Sequence, residues 1–379
     1  MHSILKLNLG GIMMEIRYNK LLLIDGSHAL HRSISQLNLW DMKNQDNQRT
    51  GGIYGMLNTV QKEISEDNYF PIVVFDGNLS PRRLAIYDNY KKNKDKLAKQ
   101  LLLEGYSINL RPPTEQEILI AEQQQEYIRQ REILIDIFTC LGIPVFHMEN
   151  WEGDDLIYVL SKMTRDSIIV SDDRDMLQLI CDTPERRCRV RRSMTKEFWD
   201  MNSLKNEGYA NTLEYISCKA ICGDDSDNIP QTCQGVGEKT ALGLYKIYMY
   251  CTTNNIKFPS DDKELKTLCE KLNISKRSAY LNFDEQQFLT NMLLMDLSYV
   301  DGDVTDSFMQ VLNMEMDGKM AYTNYALSYE ILQEQNINSF KLSEIYNRVN
   351  QLRIYALMED YNNATIEDSR VNMISNRLF

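Results

Sequence analysis

Two tight groups of acids, Glu152, Asp154 and Asp155 and then Asp173 and Asp175, fall within the stretch Glu149 to Leu179. A hydrophobic helix pattern and the strand-like run Ser167 to Val170 separate them. Carboxylates this crowded repel one another unless protons or cations relieve them, and divalent metal ions are the natural neutraliser. Four more acids stand at element ends: Asp25 after the apolar run Lys20 to Ile24, Asp76 after Pro71 to Phe75, and Asp224 and Asp227 ahead of Pro230. Glu152 and Asp155 are three residues apart, as are Asp224 and Asp227, so each pair is expected to share a helix face. Asp173 and Asp175 are expected on one side of an extended segment. Hard oxygen ligands in a chain with only four histidines select Mg²⁺ or Mn²⁺ over zinc or copper. Such a set suits phosphodiester hydrolysis, in which two ions about 3.5 to 4 Å apart activate water and steady the leaving oxygen. Positive side chains then stabilise the extra transition-state charge. Kinase or NTPase chemistry is disfavoured, because no GxxxxGKS/T loop is present and Gly235-Val-Gly-Glu-Lys-Thr lacks the first glycine spacing.

The elements that must position these acids are legible as alternating patterns. Strand runs at Lys20 to Ile24, Pro71 to Phe75, Gly142 to Phe146 and Ser167 to Val170 alternate with helix patterns from about Ala29, over Gly52 to Ile64 and over Gln130 to Leu141. The order predicts an α/β protein with a mostly parallel central sheet, helices on both faces and a site at its carboxyl edge. A single Asp-Gly after a strand is ordinarily a plain turn; the repetition, Asp25-Gly26 and Asp76-Gly77, is what points to a site. From Ser80 to about Gln130 the chain is basic and tyrosine-bearing. That segment reads either as a solvated amphipathic helix or as a cationic clamp. In the clamp, Arg82, Arg83, Lys91, Lys92 and Lys94 meet phosphates and Tyr87 or Tyr90 stacks on a splayed base. The ladder Arg186, Arg187, Arg189, Arg191 and Arg192 reads equally as a charged edge strand or a DNA contact. From Thr212 the pattern is helical to the end.

Composition sets the outer bounds. At 379 residues, 43% hydrophobic and 25% charged, the chain has room for a large domain and a smaller one. No apolar run reaches the roughly 18 residues needed to cross a bilayer, which predicts no membrane partner and a cytoplasmic protein. Eight cysteines without a CxxC pair predict reduced structural thiols. The net charge of −12 argues against a nucleic-acid partner only as a sum, since basic residues concentrate in Arg82 to Lys99 and Arg186 to Arg192.

The motifs LLLIDGSHALHRS, VVFDGNLSPRR, YKKNK, WEGDDLI, IIVSDDRDMLQL and ICGDDSDNIPQTCQGVGEKTA resemble, in this order, those of the 5′ to 3′ exonuclease and flap endonuclease family. That family includes bacteriophage 5′ nucleases and the 5′-nuclease domain of bacterial DNA polymerase I. The resemblance runs from about Leu21 to about Tyr299. It implies a PIN-like nuclease core and a structure-specific, Mg²⁺-dependent 5′ nuclease. Asp25, Asp76, Glu152, Asp154, Asp155, Asp173, Asp175, Asp224 and Asp227 match the metal-binding positions of the family; Asp172 falls one place out of the motif. Arg83, Tyr90 and Lys91 match the base of a helical arch that passes single-stranded 5′ DNA, with Arg83 and Lys91 in catalytic roles and Arg82 and Lys94 among the DNA contacts. Gly235, Gly237, Lys239 and Thr240 match the turn of a helix-three-turn-helix that grips the duplex backbone, with a bound K⁺; the competing possibility is a glycine-terminated hairpin with a packing role alone.

The implied organisation is an extension over 1–19, a core over 20–205 with the arch at about 80–130, a DNA-binding region over 206–300, and a helical 301–379 of unassigned role. Expected partners are branched, nicked or RNA-primed duplex DNA and a sliding clamp or single-strand-binding protein, for a monomeric, free-standing phage-type nuclease acting in replication or repair. The last residues, Ser375 to Phe379, resemble short tails that bind sliding clamps. Departures are Gln231 where the family has glycine after the proline, Lys94 where a relative often has arginine, and a divergent Lys96 to Gly142. A branch-binding protein without chemistry and a PIN-like ribonuclease are the competing functions. The first would have lost metal positions, and the second would not need the helical module at Tyr215 to Tyr245.

Overall fold

The structure is a computed structural model that describes residues 19–92, 114–304, 323–338 and 340–356, with the backbone alone for 5–9 and 12–16. The chain divides into two compact units, Met1–Asn78 with Leu119–Phe198 and Val300–Phe379, and Leu79–Ile118 with Trp199–Tyr299. The expected boundaries were linear along the chain. Instead the segment that opens at Leu79 groups with the later helices, and the C-terminal residues group with the sheet.

In the extension, β1 (Leu5–Leu9) and β2 (Ile12–Ile16) form an antiparallel pair. The main sheet follows from four apolar runs too short for helices. These are β3 (Lys20–Asp25), β4 (Phe70–Val74), β5 (Val145–Phe146) and β6 (Asp166–Val170), each buried on both faces at its centre. They lie in the order β5-β4-β3-β6, all parallel, continued by β8 (Arg187–Arg191) in parallel and by β7 (Cys181–Asp182), antiparallel, with β9 (Phe198–Trp199) beside β8. Between the parallel strands run α1 (Gly26–Ser35), α2 (Leu37–Trp40), α3 (Gly51–Glu66) and α6 (Gly153–Lys162). The 26-residue α5 (Glu115–Cys140) leads into β5. Helix α1 starts at Gly26, not near Ala29, because the Asp25 carboxylate caps it. The buried stripe Ile53, Met56, Leu57, Val60 and Ile64 of α3 keeps helical spacing, and α1 packs on it.

The arginine ladder is not an edge, and its members differ in exposure, from the exposed Arg187 to the buried Arg191. Strand β8 has neighbours on both sides. Arg191, 1% exposed, pairs with Glu63 at 2.8 Å and with Asp67 at 2.6 Å. Arg187 pairs with Asp166, and Arg189 donates to the Tyr69 hydroxyl at 3.1 Å. The buried guanidinium of Arg191 requires such partners, and Glu63 in α3 and Asp67 at its end supply them.

The second unit is helical, as expected: α4 (Pro81–Ile86), α7 (Met201–Asn206), α8 (Thr212–Cys222), α9 (Glu238–Thr253), α10 (Asp262–Leu272) and α11 (Glu285–Met295). Helix α8 packs on α9 and α11. The Asn291 amide of α11, fully buried, donates to the carbonyls of Ala220 and Pro230 at 2.8 Å each, fixing the chain where it leaves α8.

Candidate active site

Parallel strands deliver their carboxyl ends to one edge, and in the first unit the acids follow. Asp25 ends β3, level with Val74, so Asp76 stands two residues beyond on the neighbouring strand. The Asp25 carboxylate accepts from His28 N at 2.9 Å and from the Ser171 hydroxyl at 2.8 Å. Burial pushes its pKa up to about 6; the His28 amide opposes this and the Asp76 charge adds to it. Asp76 is held twice, its N–H donating to Ser27 Oγ at 2.8 Å and its carboxylate accepting from Gly153 N at 2.7 Å. That second bond fastens β4 to the start of α6.

The Asp-Gly pairs have a steric basis. A Cβ on Gly26 would come within 2.8 to 2.9 Å of Val73, Phe75 and the Val74 carbonyl, and one on Gly77 would overlap the Met148 carbonyl oxygen. The chain can therefore pass close enough to bring Asp76 to the edge only with glycine there.

Glu152 and Asp155 are buried at the first turn of α6, where the Asp155 carboxylate accepts from Glu152 N at 3.3 Å. Asp154 accepts from Asp155 N at 2.8 Å. Asp173 and Asp175 do not lie on an extended segment. Asp173 caps a 3₁₀ helix, Arg174–Leu179, accepting from Asp175 N at 2.8 Å, because a short acid after a strand is a ready N-cap. Asp172, outside the motif, belongs to another network. It pairs with Arg32 at 2.9 Å and with Ser193, and although burial works the other way these contacts lower its pKa.

The second unit holds Asp224 and Asp227, so the structure assigns seven of the nine acids to one unit and two to the other. They do not share a helix face. Asp224 pairs with Ile229 in an isolated bridge, and the two acids sit in the turn between, where Asp224 accepts from Ser226 N at 2.8 Å and from Asp227 N at 3.3 Å. Onto this turn docks the segment after α4. Lys91, at φ +55°, donates its N–H to the Asp227 carbonyl at 2.8 Å, with its ammonium 3.8 Å from the Asp227 carboxylate. The Tyr90 hydroxyl donates to the same carboxylate at 3.3 Å.

Arg83 and Tyr90 correct the expectation that they meet DNA as free faces. Tyr90 is buried, with the Arg83 guanidinium 5.9 Å and the Lys91 ammonium 5.2 Å from its ring centre. Arg83 is 1% exposed and donates to the Leu294 carbonyl at 2.9 Å; Arg82 donates to Leu293 O at 2.7 Å. Both carbonyls lie in the last turn of α11, where the helix leaves acceptors open and favours positive charge. Lys94 and the tail Ser375–Phe379 lie outside the described residues.

At the turn into α9, Gly235 has φ +82°, Gly237 is the N-cap, and Lys239 is exposed. Gln231, the departure from the family pattern, donates its amide to the Val236 carbonyl. The Gly237 carbonyl accepts from Thr240 N at 2.9 Å and from Thr240 Oγ1 at 3.0 Å.

Sequence reasoning missed the hydroxyls. Ser27 joins Asp76 N to the Tyr127 hydroxyl at 2.9 Å, and burial with the Asp76 charge pushes the Tyr127 phenol up to about 12. Among the described residues no three His, Cys, Asp or Glu side chains converge tightly enough to enclose a cation. The acids turn to backbone N–H groups, and the raised pKa of Asp25 beside Asp76 marks negative charge that a cation would relieve. In that respect the donor set fits a divalent ion.

Comparison with known proteins agrees with this geometry. The family described as 5′-3′ exonuclease, N-terminal resolvase-like domain matches residues 20–207. DNA polymerase I of Caldicellulosiruptor bescii is 27% identical over 271 residues, 69% of this chain but only 28% of that polymerase. The 5′-3′ exonuclease of Buchnera aphidicola subsp. Schizaphis graminum is 28% identical over 274 residues, 69% of this chain and 84% of that one. The bacteriophage T5 D15 flap endonuclease, solved as a pseudo-enzyme-product complex with DNA and metal ions, has the same fold. Its TM-score is 0.53 at 18% identity, over 83% of this chain and 99% of that one. On the sheet, the strand-end acids and the matched residues together, residues 20–207 are the N-terminal, resolvase-like domain of the 5′-3′ exonuclease family.

Proposed function

We propose that the protein is a Mg²⁺- or Mn²⁺-dependent, structure-specific 5′ nuclease that hydrolyses phosphodiesters of flapped, nicked or RNA-primed duplex DNA in replication or repair. The observation that carries this is the half-buried Asp25, pushed up to about 6 beside Asp76 at the carboxyl edge of a parallel sheet. Its charge is costly unless a cation stands nearby. Asp25, Asp76, Glu152, Asp154, Asp155, Asp173 and Asp175 would hold ions in the first unit, and Asp224 and Asp227 are the candidate ligands of the second. When bound, a pair of divalent ions lowers the pKa of water and stabilises the leaving oxygen.

The protein's own groups orient this chemistry. Ser27 and Gly153 N fix Asp76, His28 N and Ser171 fix Asp25, and Lys91 carries its positive charge beside Asp227. Arg82 and Arg83 act by seating α4 on the end of α11. Gly235, Gly237, Lys239 and Thr240 grip the duplex backbone through α9 N–H groups and the Lys239 charge. The Val236 carbonyl accepts one bond, from Gln231, and keeps a lone pair, so a K⁺ is compatible with that turn.

End-labelled flapped, nicked and RNA-primed duplexes, incubated with and without Mg²⁺, test the proposal. Wild type is expected to release short 5′ products only with Mg²⁺, and Asp173→Asn to lose at least about 100-fold in rate. Intact substrates with wild type and Mg²⁺ would reject it.

A further inference from the structure

Ser171, 1% exposed, follows directly on β6 and stands between two of the acids. Strands β3 and β6 are parallel neighbours with Ile24 opposite Val170, so Asp25 and Ser171 occupy the next level on adjacent strands. Its own N–H donates to the Arg191 carbonyl at 3.2 Å, fixing its backbone to β8. Its hydroxyl accepts from Asp173 N at 3.0 Å and donates to the second carboxylate oxygen of Asp25 at 2.8 Å.

A hydroxyl has one proton to give, so the direction of this relay is set: Asp173 N–H to Ser171 Oγ, and Ser171 O–H to Asp25. With His28 N on its first oxygen, the Asp25 carboxylate is held by one donor on each oxygen. Its plane is then fixed while further lone pairs remain. Asp173 is held by the same hydroxyl through its backbone, at the residue where the chain turns into the 3₁₀ helix. One small buried group thus sets the angle of one acid and the exit path of another that lies 148 residues away in sequence, a separation no local pattern reveals.

We propose that Ser171 is a positioning residue that orients Asp25 and Asp173 jointly for divalent-cation binding, an inference that rests on the metal-ligand reading of these acids. Partners that orient metal ligands change affinity or activity by about 10- to 100-fold when removed.

The experiment is Mn²⁺ titration calorimetry on the full chain without DNA, alongside kcat and KM on a flapped duplex. The variants are Ser171→Ala and the matched pair Ser171→Thr and Ser171→Val, which differ in shape by little more than the hydroxyl. Wild type and Ser171→Thr should bind Mn²⁺ within about threefold of each other, and Ser171→Ala and Ser171→Val about 10- to 100-fold more weakly. For the weakened variants kcat should fall while KM for DNA holds.

Ser171→Val binding Mn²⁺ as tightly as Ser171→Thr would overturn the inference and leave the nuclease proposal standing. Loss of cooperative melting in Ser171→Val but not in Ser171→Thr would also overturn it, by showing a structural role. Failure of wild type to bind Mn²⁺ would remove both proposals together.

Discussion

Two environments compete at Asp25. Burial disfavours its charge and Asp76 adds to the cost, while the His28 amide and the Ser171 hydroxyl favour it; burial prevails and the pKa rises to about 6 from 3.8. The unfolded chain therefore releases this proton at lower pH than the folded one, and between those values the folded state holds it more tightly. Stability at this group is greatest in acid and falls as pH rises through about 6, by on the order of 1 to 3 kcal/mol without a divalent ion. In EDTA, Asp25→Asn is expected to gain stability over wild type progressively from about pH 4 to about pH 7, read by urea unfolding. A pH-independent difference would contradict this account. Asp25 was legible in the sequence because it ends an apolar run. Ser27 and Ser171 were not, since a hydroxyl at a strand end is ordinary until the sheet shows what faces it.

Among the elements, the β4–α6 connection depends on Gly77. Its N–H donates to the Trp151 carbonyl at 3.0 Å, and the chain at Met148 passes directly over its Cα. Gly77→Ala sets a methyl against backbone that cannot move without shifting Asp76 and Gly153. The expected result is a loss of more than about 2 kcal/mol, with nuclease activity falling in parallel. Wild-type melting and activity would show that the approach is looser than described. Strand and helix positions were readable from periodicity to within a few residues. The arginine ladder shows where that stops: its strand was visible, but its meaning lay in Glu63 and Asp67, more than 120 residues upstream. The same holds for Arg83, whose carbonyl partner on α11 is 211 residues away.

For the whole molecule, the C-terminal residues that carried no legible chemistry have work in the first unit. Arg348, in the helix over 342–356, donates to the carbonyls of Ile64 at 2.8 Å and Asp67 at 3.0 Å, closing the end of α3. Asn324 N donates to Cys140 O at 2.9 Å and Arg353 to Gly142 O at 3.1 Å, closing the end of α5. The match to the exonuclease N-terminal domain spans residues 20–207, and the donors of these fastenings lie outside it. Replacing Arg348 and Arg353 together by Ala should lower stability by roughly 2 to 4 kcal/mol, about 1 to 2 for each set of helix-end carbonyls left without its donor. An unaltered melting temperature would assign these bonds no weight.

The parallel sheet has a further consequence for synthesis. Asp25, Asp76 and Asp173 reach one edge only because β3 pairs with strands that begin 50 and 146 residues after it does. Each closure comes at the entropic cost of a long loop, and such topologies fold late and slowly. A nascent chain on the ribosome should therefore be inert toward DNA until β6 and β8 have emerged and paired. The acid-bearing edge is then among the last parts of the molecule to exist.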